Sequence, residues 1–69
     1  MTLEEMRLEC GLSKLELARE ARVDFNTLQR ALTGEIITLN SAAKIARAIS
    51  QKLGRTVRYQ DIEGLNVKV

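Results

Sequence analysis

A chain of 69 residues, 45% hydrophobic and 29% charged, is long enough for one small globular domain, and no apolar run reaches the ~20 residues that span a membrane. The chain has no histidine and Cys10 is its only cysteine, so it lacks the residue pairs of common catalytic and metal sites, and we expect no enzyme activity, metal or cofactor. A single cysteine also fits a protein of the reducing cytoplasm. The net charge of +2 is unevenly distributed, since residues 1–20 carry five acids and three bases and residues 21–69 carry four acids and eight bases. The excess of positive charge in residues 21–69 permits a polyanionic partner.

Two helix starts stand out at the beginning of the chain. Thr2 with Glu5, and Ser13 with Glu16, each form the pattern of a capping box, in which the first side chain and the fourth satisfy each other's backbone amides. Gly11 separates the two predicted helices. The side chains expected to face the core are Leu3, Met6 and Cys10 in the first helix, and Leu15, Ala18 and Ala21 in the second.

Two more helices are predicted after a short connection. Asp24 caps a third helix that runs to about Thr33, before Gly34, and residues 35–37 form a loop. Thr38 caps a fourth helix that ends at Gly54. The remainder is predicted to hold a helical turn at residues 59–62 and a tail, residues 65–69, that is either a short strand or disordered. The expected inward residues of the fourth helix are Leu39, Ala42, Ala46, Ile49 and Leu53.

The third helix has one apolar and one polar face. Leu28, Ala31 and Leu32 cluster within about a third of its circumference. Asn26, Arg30 and Thr33 fall nearly opposite, and Gln29 and Phe25 lie at the boundary. Asparagine can pair bidentately with adenine, and arginine with guanine. Composition alone favours an ordinary solvated face for these residues, and Phe25 fits the edge of the core, a contact with a thymine methyl group, or both.

Several short elements then follow one another in a fixed order between residues 11 and 49. They are Leu12-Ser13, Leu17-Ala18, Ala21 with Val23, Thr27-Leu28, Gly34 and the segment LNSAAKIARAI. Because these elements occur together in this order and at this spacing, the stretch resembles the Cro and lambda-repressor family of helix-turn-helix proteins. The resemblance implies an all-α, compact fold of four to five helices. Residues 1–69 would form one domain, with the motif at about 13–33 in helices 2 and 3, the fourth helix at about 38–53 and a C-terminal extension at 54–69.

The resemblance also assigns roles to individual residues. Residues that would face the base edges of DNA are Phe25, Asn26, Gln29 and Arg30, and residues that would contact its backbone are Lys14, Arg22, Thr27 and Thr33. Lys44 and Arg47 are expected to be solvated charges. Arg22 stands where the family usually has glycine, so we predict a strained turn with positive φ at that position.

The function implied by the resemblance is sequence-specific binding of double-stranded DNA by a transcriptional regulator, acting as a repressor. A homodimer on a palindromic operator is expected, joined through the apolar side chains of the extension, which are Val57, Tyr59, Ile62, Leu65, Val67 and Val69. The alternative is a helical protein-interaction module, or an antitoxin whose main role is to bind a protein partner such as a toxin. The acidic first twenty residues, the small net charge and Phe25 favour that alternative.

Overall fold

The computed structural model describes residues 1–68, and in that part of the chain it has four α-helices. They are α1 (Leu3–Cys10), α2 (Lys14–Ala21), α3 (Phe25–Leu32) and α4 (Leu39–Leu53). Two short strands, β1 (Ile36–Thr38) and β2 (Asn66–Lys68), and a 3₁₀ turn at Tyr59–Asp61 complete the fold. Of the four to five helices predicted, four are present. The all-α prediction is wrong in one respect, because β1 and β2 form a small sheet.

The helices begin where their capping residues lie. In α1 the Thr2 amide donates to Glu5 Oε1 at 2.8 Å and the Glu5 amide donates to Thr2 Oγ1 at 3.2 Å. Ser13 and Glu16 repeat the arrangement at 2.9 and 3.1 Å, so both predicted capping boxes are confirmed. Asp24 caps α3 by accepting from the Thr27 amide at 2.6 Å. These bonds satisfy amides that would have no partner inside the helices.

The caps make stability depend on pH. Hydrogen bonds from the Thr2 backbone and hydroxyl lower the pKa of Glu5, those from Ser13 lower that of Glu16, and the Thr27 hydroxyl and amide lower that of Asp24. A carboxyl whose pKa is lower in the folded state contributes stability above its unfolded pKa and loses it as pH falls through the folded one. The ordinary values are 4.5 for glutamate and 3.8 for aspartate.

We therefore expect the melting temperature to be constant from neutral pH to about pH 5 and to fall below it. Circular dichroism melts across this range measure the effect. A variant with Glu5→Gln, Glu16→Gln and Asp24→Asn should be less stable than the natural protein at pH 7 and should lose less stability on acidification. An equally steep acid loss in that variant would show that other carboxyl groups control it.

The two strands join distant parts of the chain. They pair in parallel, with Ile36 opposite Asn66 and Thr38 opposite Lys68, and the Asn66 side-chain amide also donates to the Gly34 carbonyl oxygen. The predicted loop at residues 35–37 is therefore wrong for Ile36 and Ile37, whose β-branched side chains suit a strand once a partner is present. Of the two alternatives for the tail, the strand is what forms over Asn66–Lys68, while Val69 lies outside the described residues.

The core lies between the helices and is built from small aliphatic side chains. Leu17 and Ile45 are fully buried, whereas Leu15 and Leu39, both expected to face inward, are 47% and 42% exposed. The predicted inward face is therefore wrong at Leu15 in α2 and at Leu39, the first residue of α4. Cys10 is half-buried, and burial followed by the charge of Glu9 raises the pKa of its thiol, which suits an unreactive packing role. The buried residues are Leu3, Met6, Leu17, Ala18, Ala21, Leu28, Ala31, Ile37, Ala42, Ile45, Ala46, Ala48, Ile49, Val57 and Ile62.

The C-terminal extension packs on the domain itself. Val57 and Ile62 belong to the core, and Tyr59, Leu65 and Val67 are half-buried against it. Ser50 of α4 fixes the start of this segment, since its hydroxyl accepts from the Val57 amide at 2.8 Å and lies 2.9 Å from the Val57 carbonyl oxygen. The apolar side chains that suggested a dimer interface, apart from the undescribed Val69, thus have partners within the chain.

Candidate nucleic-acid interface

Helices α2 and α3 are joined by a three-residue turn that depends on Arg22. Arg22 has φ 59° and ψ 40°, the left-handed region, and it is the only residue other than glycine with positive φ within residues 1–68. The amide of Val23 closes the end of α2 by donating to the Ala18 carbonyl at 3.1 Å. The predicted positive φ at Arg22 is confirmed.

Arg22→Gly should therefore stabilise the protein by about 0.4–1 kcal/mol, because glycine adopts this conformation without a clash at Cβ. Urea unfolding curves measure the change. Arg19→Gly, one turn earlier and inside α2, is the matched control and should destabilise by roughly 0.5–1 kcal/mol. Loss of stability in Arg22→Gly would mean that the arginine side chain contributes more than its backbone strain costs.

The outward face of α3 carries the four residues predicted to meet base edges. Leu28 and Ala31 are buried on the opposite side, and Phe25, Asn26, Gln29 and Arg30 are all exposed. Phe25 is 42% exposed and does not belong to the core, so its apolar ring is available to a partner. Within residues 1–68, the side-chain amides of Asn26 and Gln29 make no hydrogen bond. The face is therefore exposed, and two of its side-chain amides are free to bind a partner.

Arg30 is the exception on this face, because it is held by the segment that follows the helix. Its Nη2 donates to the Ile36 carbonyl oxygen at 3.1 Å, and its Nε lies 3.8 Å from Glu35 Oε1. The other oxygen of Glu35 lies 3.2 Å from the Thr33 hydroxyl. No pattern in the sequence indicates Glu35, because its contact with Arg30 spans the end of α3 and follows no helical spacing. Arg30 must leave these partners to reach a base.

The residues predicted to contact the DNA backbone lie at the ends of the two helices. Lys14 is the exposed first residue of α2, and Arg22 follows its other end, about 12 Å further along the axis at 1.5 Å per residue. Thr27 is half-buried in the first turn of α3, and Thr33 follows its last residue. Of the predicted site residues, Arg30 and Thr33 are brought together through their contacts with Glu35.

The part of the chain that forms the four helices also matches a known family. A family model described as Helix-turn-helix covers residues 3–59, from the start of α1 to the first residue of the 3₁₀ turn. The chain belongs to the Cro and lambda-repressor-like helix-turn-helix family. No curated protein and no solved structure matches it significantly.

Membership places this helix-turn-helix protein among DNA-binding regulators, a family that is not normally enzymatic. Within the matched residues of the helix-turn-helix protein, α2 and α3 are consecutive helices joined by the turn at Arg22. No helix in residues 1–68 has both the length and the hydropathy needed to cross a membrane. The same residues contain no cluster of three or more acidic or cysteine side chains placed to hold a metal ion.

Proposed function

We propose that this protein binds double-stranded DNA sequence-specifically, with α3 in the major groove, and that it represses transcription. The observation that carries the proposal is the outward face of α3, where the Asn26 and Gln29 amides are exposed without partners while Leu28 and Ala31 hold the other face in the core. An exposed helix face with free amides suits bidentate pairing with adenine. The protein bound at its operator would exclude the transcription machinery from that DNA.

Within this proposal the residues divide by the part of DNA that they meet. Base edges are assigned to Phe25, Asn26, Gln29 and Arg30, with the Phe25 ring against a thymine methyl group. Phosphates are assigned to Lys14, Arg22, Thr27 and Thr33, because their donors lie at helix ends that border such a groove.

A homodimer on a palindromic operator extends the proposal. Two copies related by a two-fold axis would place their α3 helices about one DNA turn, roughly 34 Å, apart. Since the extension packs on its own domain, we assign the contact to the exposed apolar residues Ile36 and Leu39, which are 59% and 42% exposed. We propose residues 1–69 as one such DNA-binding unit, acting in the cytoplasm.

Selection of bound sequences from a random duplex library tests both parts. Enrichment of a common site, with two inverted half-sites, is the expected result. Enrichment of a single half-site would contradict the homodimer but not sequence-specific binding. Failure to enrich any sequence, by a protein whose helical circular dichroism is intact, would contradict sequence-specific binding.

Removing the charge of Glu35 should strengthen DNA binding. The carboxylate competes with DNA for Arg30 and Thr33 and would repel nearby phosphates. We expect Glu35→Gln to raise affinity severalfold on both specific and random duplex, and the effect to shrink at high salt. Glu63→Gln is the control, since Glu63 pairs with the chain's amino terminus instead. Weaker binding by Glu35→Gln would show that Glu35 positions Arg30 for DNA.

The second candidate is a protein-interaction module or antitoxin, favoured by the 42% exposed Phe25 on the same face. On that proposal the apolar ring of Phe25 anchors a protein such as a toxin. Phe25→Ala would then abolish partner binding, while Asn26→Ala would leave it unchanged. If α3 reads bases, both variants weaken binding to the preferred DNA site, because Asn26→Ala loses its pairing with adenine and Phe25→Ala loses its contact with the thymine methyl group.

A further inference from the structure

A basic groove lies on a different part of the surface, between the end of α2 and the middle of α4. Four cationic side chains line it, and we define the basic groove by them: Arg19, Arg22, Lys44 and Arg47. Its volume is about 630 Å³, and the buried residues Ala21 and Ala48 supply apolar lining. That size falls within the range of surface clefts that bind ligands.

The groove holds the positive charge of the molecule. Glu20 is the single acid among its lining residues, and it pairs with Lys52, with Nζ 3.3 Å from Oε1. Four cations and one carboxylate give the lining a formal charge of +3, so the remainder of the chain, whose total is +2, carries −1. Within residues 1–68 none of the four cations has a carboxylate within ion-pair distance. Attraction for anions is therefore concentrated in the groove.

Helix electrostatics explain only half of this charge. Arg19 and Arg22 lie at the C-terminal end of α2, where the helix dipole favours cations. Lys44 and Arg47 lie mid-helix, three residues apart, and α4 contains no acid at all. Like charges at this spacing repel one another slightly, so they lower the stability of α4 when the groove is empty. Arg22 adds a cation at a position where its backbone is strained.

We propose that the basic groove binds an acidic, extended segment of a partner protein. The planar guanidinium group of arginine pairs bidentately with carboxylates. The groove therefore suits a segment with Asp or Glu at alternate positions. A single peptide chain would use the apolar lining at Ala21 and Ala48 as well as the four cations, whereas DNA phosphates would use the cations alone. The groove shares Arg22 with the proposed phosphate contacts, but it contains none of the base-reading residues of α3 and does not depend on the proposed DNA sequence specificity.

The test uses a fluorescent hexaglutamate peptide as the probe, with hexaglutamine as its uncharged counterpart. We expect hexaglutamate alone to bind at low salt, and to shift the amide resonances of residues 19–22 and 44–51. The double variant Lys44→Glu with Arg47→Glu should weaken binding roughly tenfold or more, because each change replaces attraction with repulsion. Arg55→Glu replaces an exposed cation outside the groove and is the control for the single variant Arg47→Glu, which changes the net charge equally. Arg55→Glu should change affinity less than twofold.

Other outcomes overturn the proposal. Equal loss in Arg55→Glu would mean that net charge, not the groove, attracts the peptide, and failure of the natural protein to bind hexaglutamate would exclude the site. If the double variant loses random duplex DNA as strongly as it loses the peptide, the groove is a phosphate-binding surface instead. Circular dichroism of both variants establishes that they are folded, and Lys44→Gln with Arg47→Gln, which adds no negative charge, should give an intermediate loss.

Discussion

Leu28→Ala should lower the free energy of unfolding by about 2–5 kcal/mol. Leu28 is fully buried on the inner face of α3, so truncation leaves a cavity between α3 and the helices it contacts, α1 and α2. At roughly 0.05–0.15 kcal/mol per residue, a domain of this length has only about 3–10 kcal/mol in total. The substitution therefore removes a large part of the stability, and we expect a substantial unfolded population at 37 °C.

Leu8→Ala is the matched control, since Leu8 is also helical but 63% exposed. Its effect should stay within about 0.5 kcal/mol. Urea titrations followed by circular dichroism give both values, and thermal melts compare them at 37 °C. Similar losses for the two variants would mean that α3 is not anchored in the core through Leu28, and its outward face would then be placed differently.

Asn26→Ala and Arg30→Ala should each cost about 1–3 kcal/mol on the preferred site and relax the preference at one base pair. The two residues lie one helical turn apart on the exposed face of α3, so both can reach base edges together. Asn26 gives up no intramolecular bond on binding, whereas Arg30 gives up its contacts with Glu35 and Ile36. We therefore expect the larger loss of specificity in Asn26→Ala and the larger loss on random DNA in Arg30→Ala, which removes a charge.

Lys14→Ala provides the contrast, because an exposed lysine at the start of α2 would meet phosphates only. It should weaken binding to all sequences alike and reduce the slope of log K against log salt by about one unit. All three variants are measured on the selected site and on random duplex at several salt concentrations. An unchanged specific-to-random ratio in both Asn26→Ala and Arg30→Ala would rule out base reading by α3.

The helices could be predicted from the sequence because their signals are local. Thr2 and Ser13 need only a glutamate three residues later to define a helix start, and Asp24 needs only its own carboxylate. The positive φ of Arg22 followed from the resemblance to a family with glycine there. The polar outward face of α3 followed from 3.6-residue periodicity, and each of its candidate residues is exposed.

The features that escaped prediction depend on contacts between distant residues. Ile36 becomes a strand residue only because Asn66 lies beside it, and no pattern near residue 36 indicates that partner. Leu15 and Leu17 both fit a helical stripe, and only packing against the other helices decides that Leu17 is buried. Likewise, the interaction of Glu35 with Arg30 requires the exact path of the chain after α3.

The parallel pairing of β1 with β2 has a consequence for synthesis on the ribosome. All four helices precede β2, so their synthesis is complete on the order of a second before residues 66–68 are made, at ~5–20 residues per second. Until then β1 lacks its strand partner and the Gly34 carbonyl lacks the Asn66 amide. The segment that holds Arg30 can therefore reach its final shape only after residues 66–68 have been made, and until then Ile36 is exposed on an unpaired strand edge.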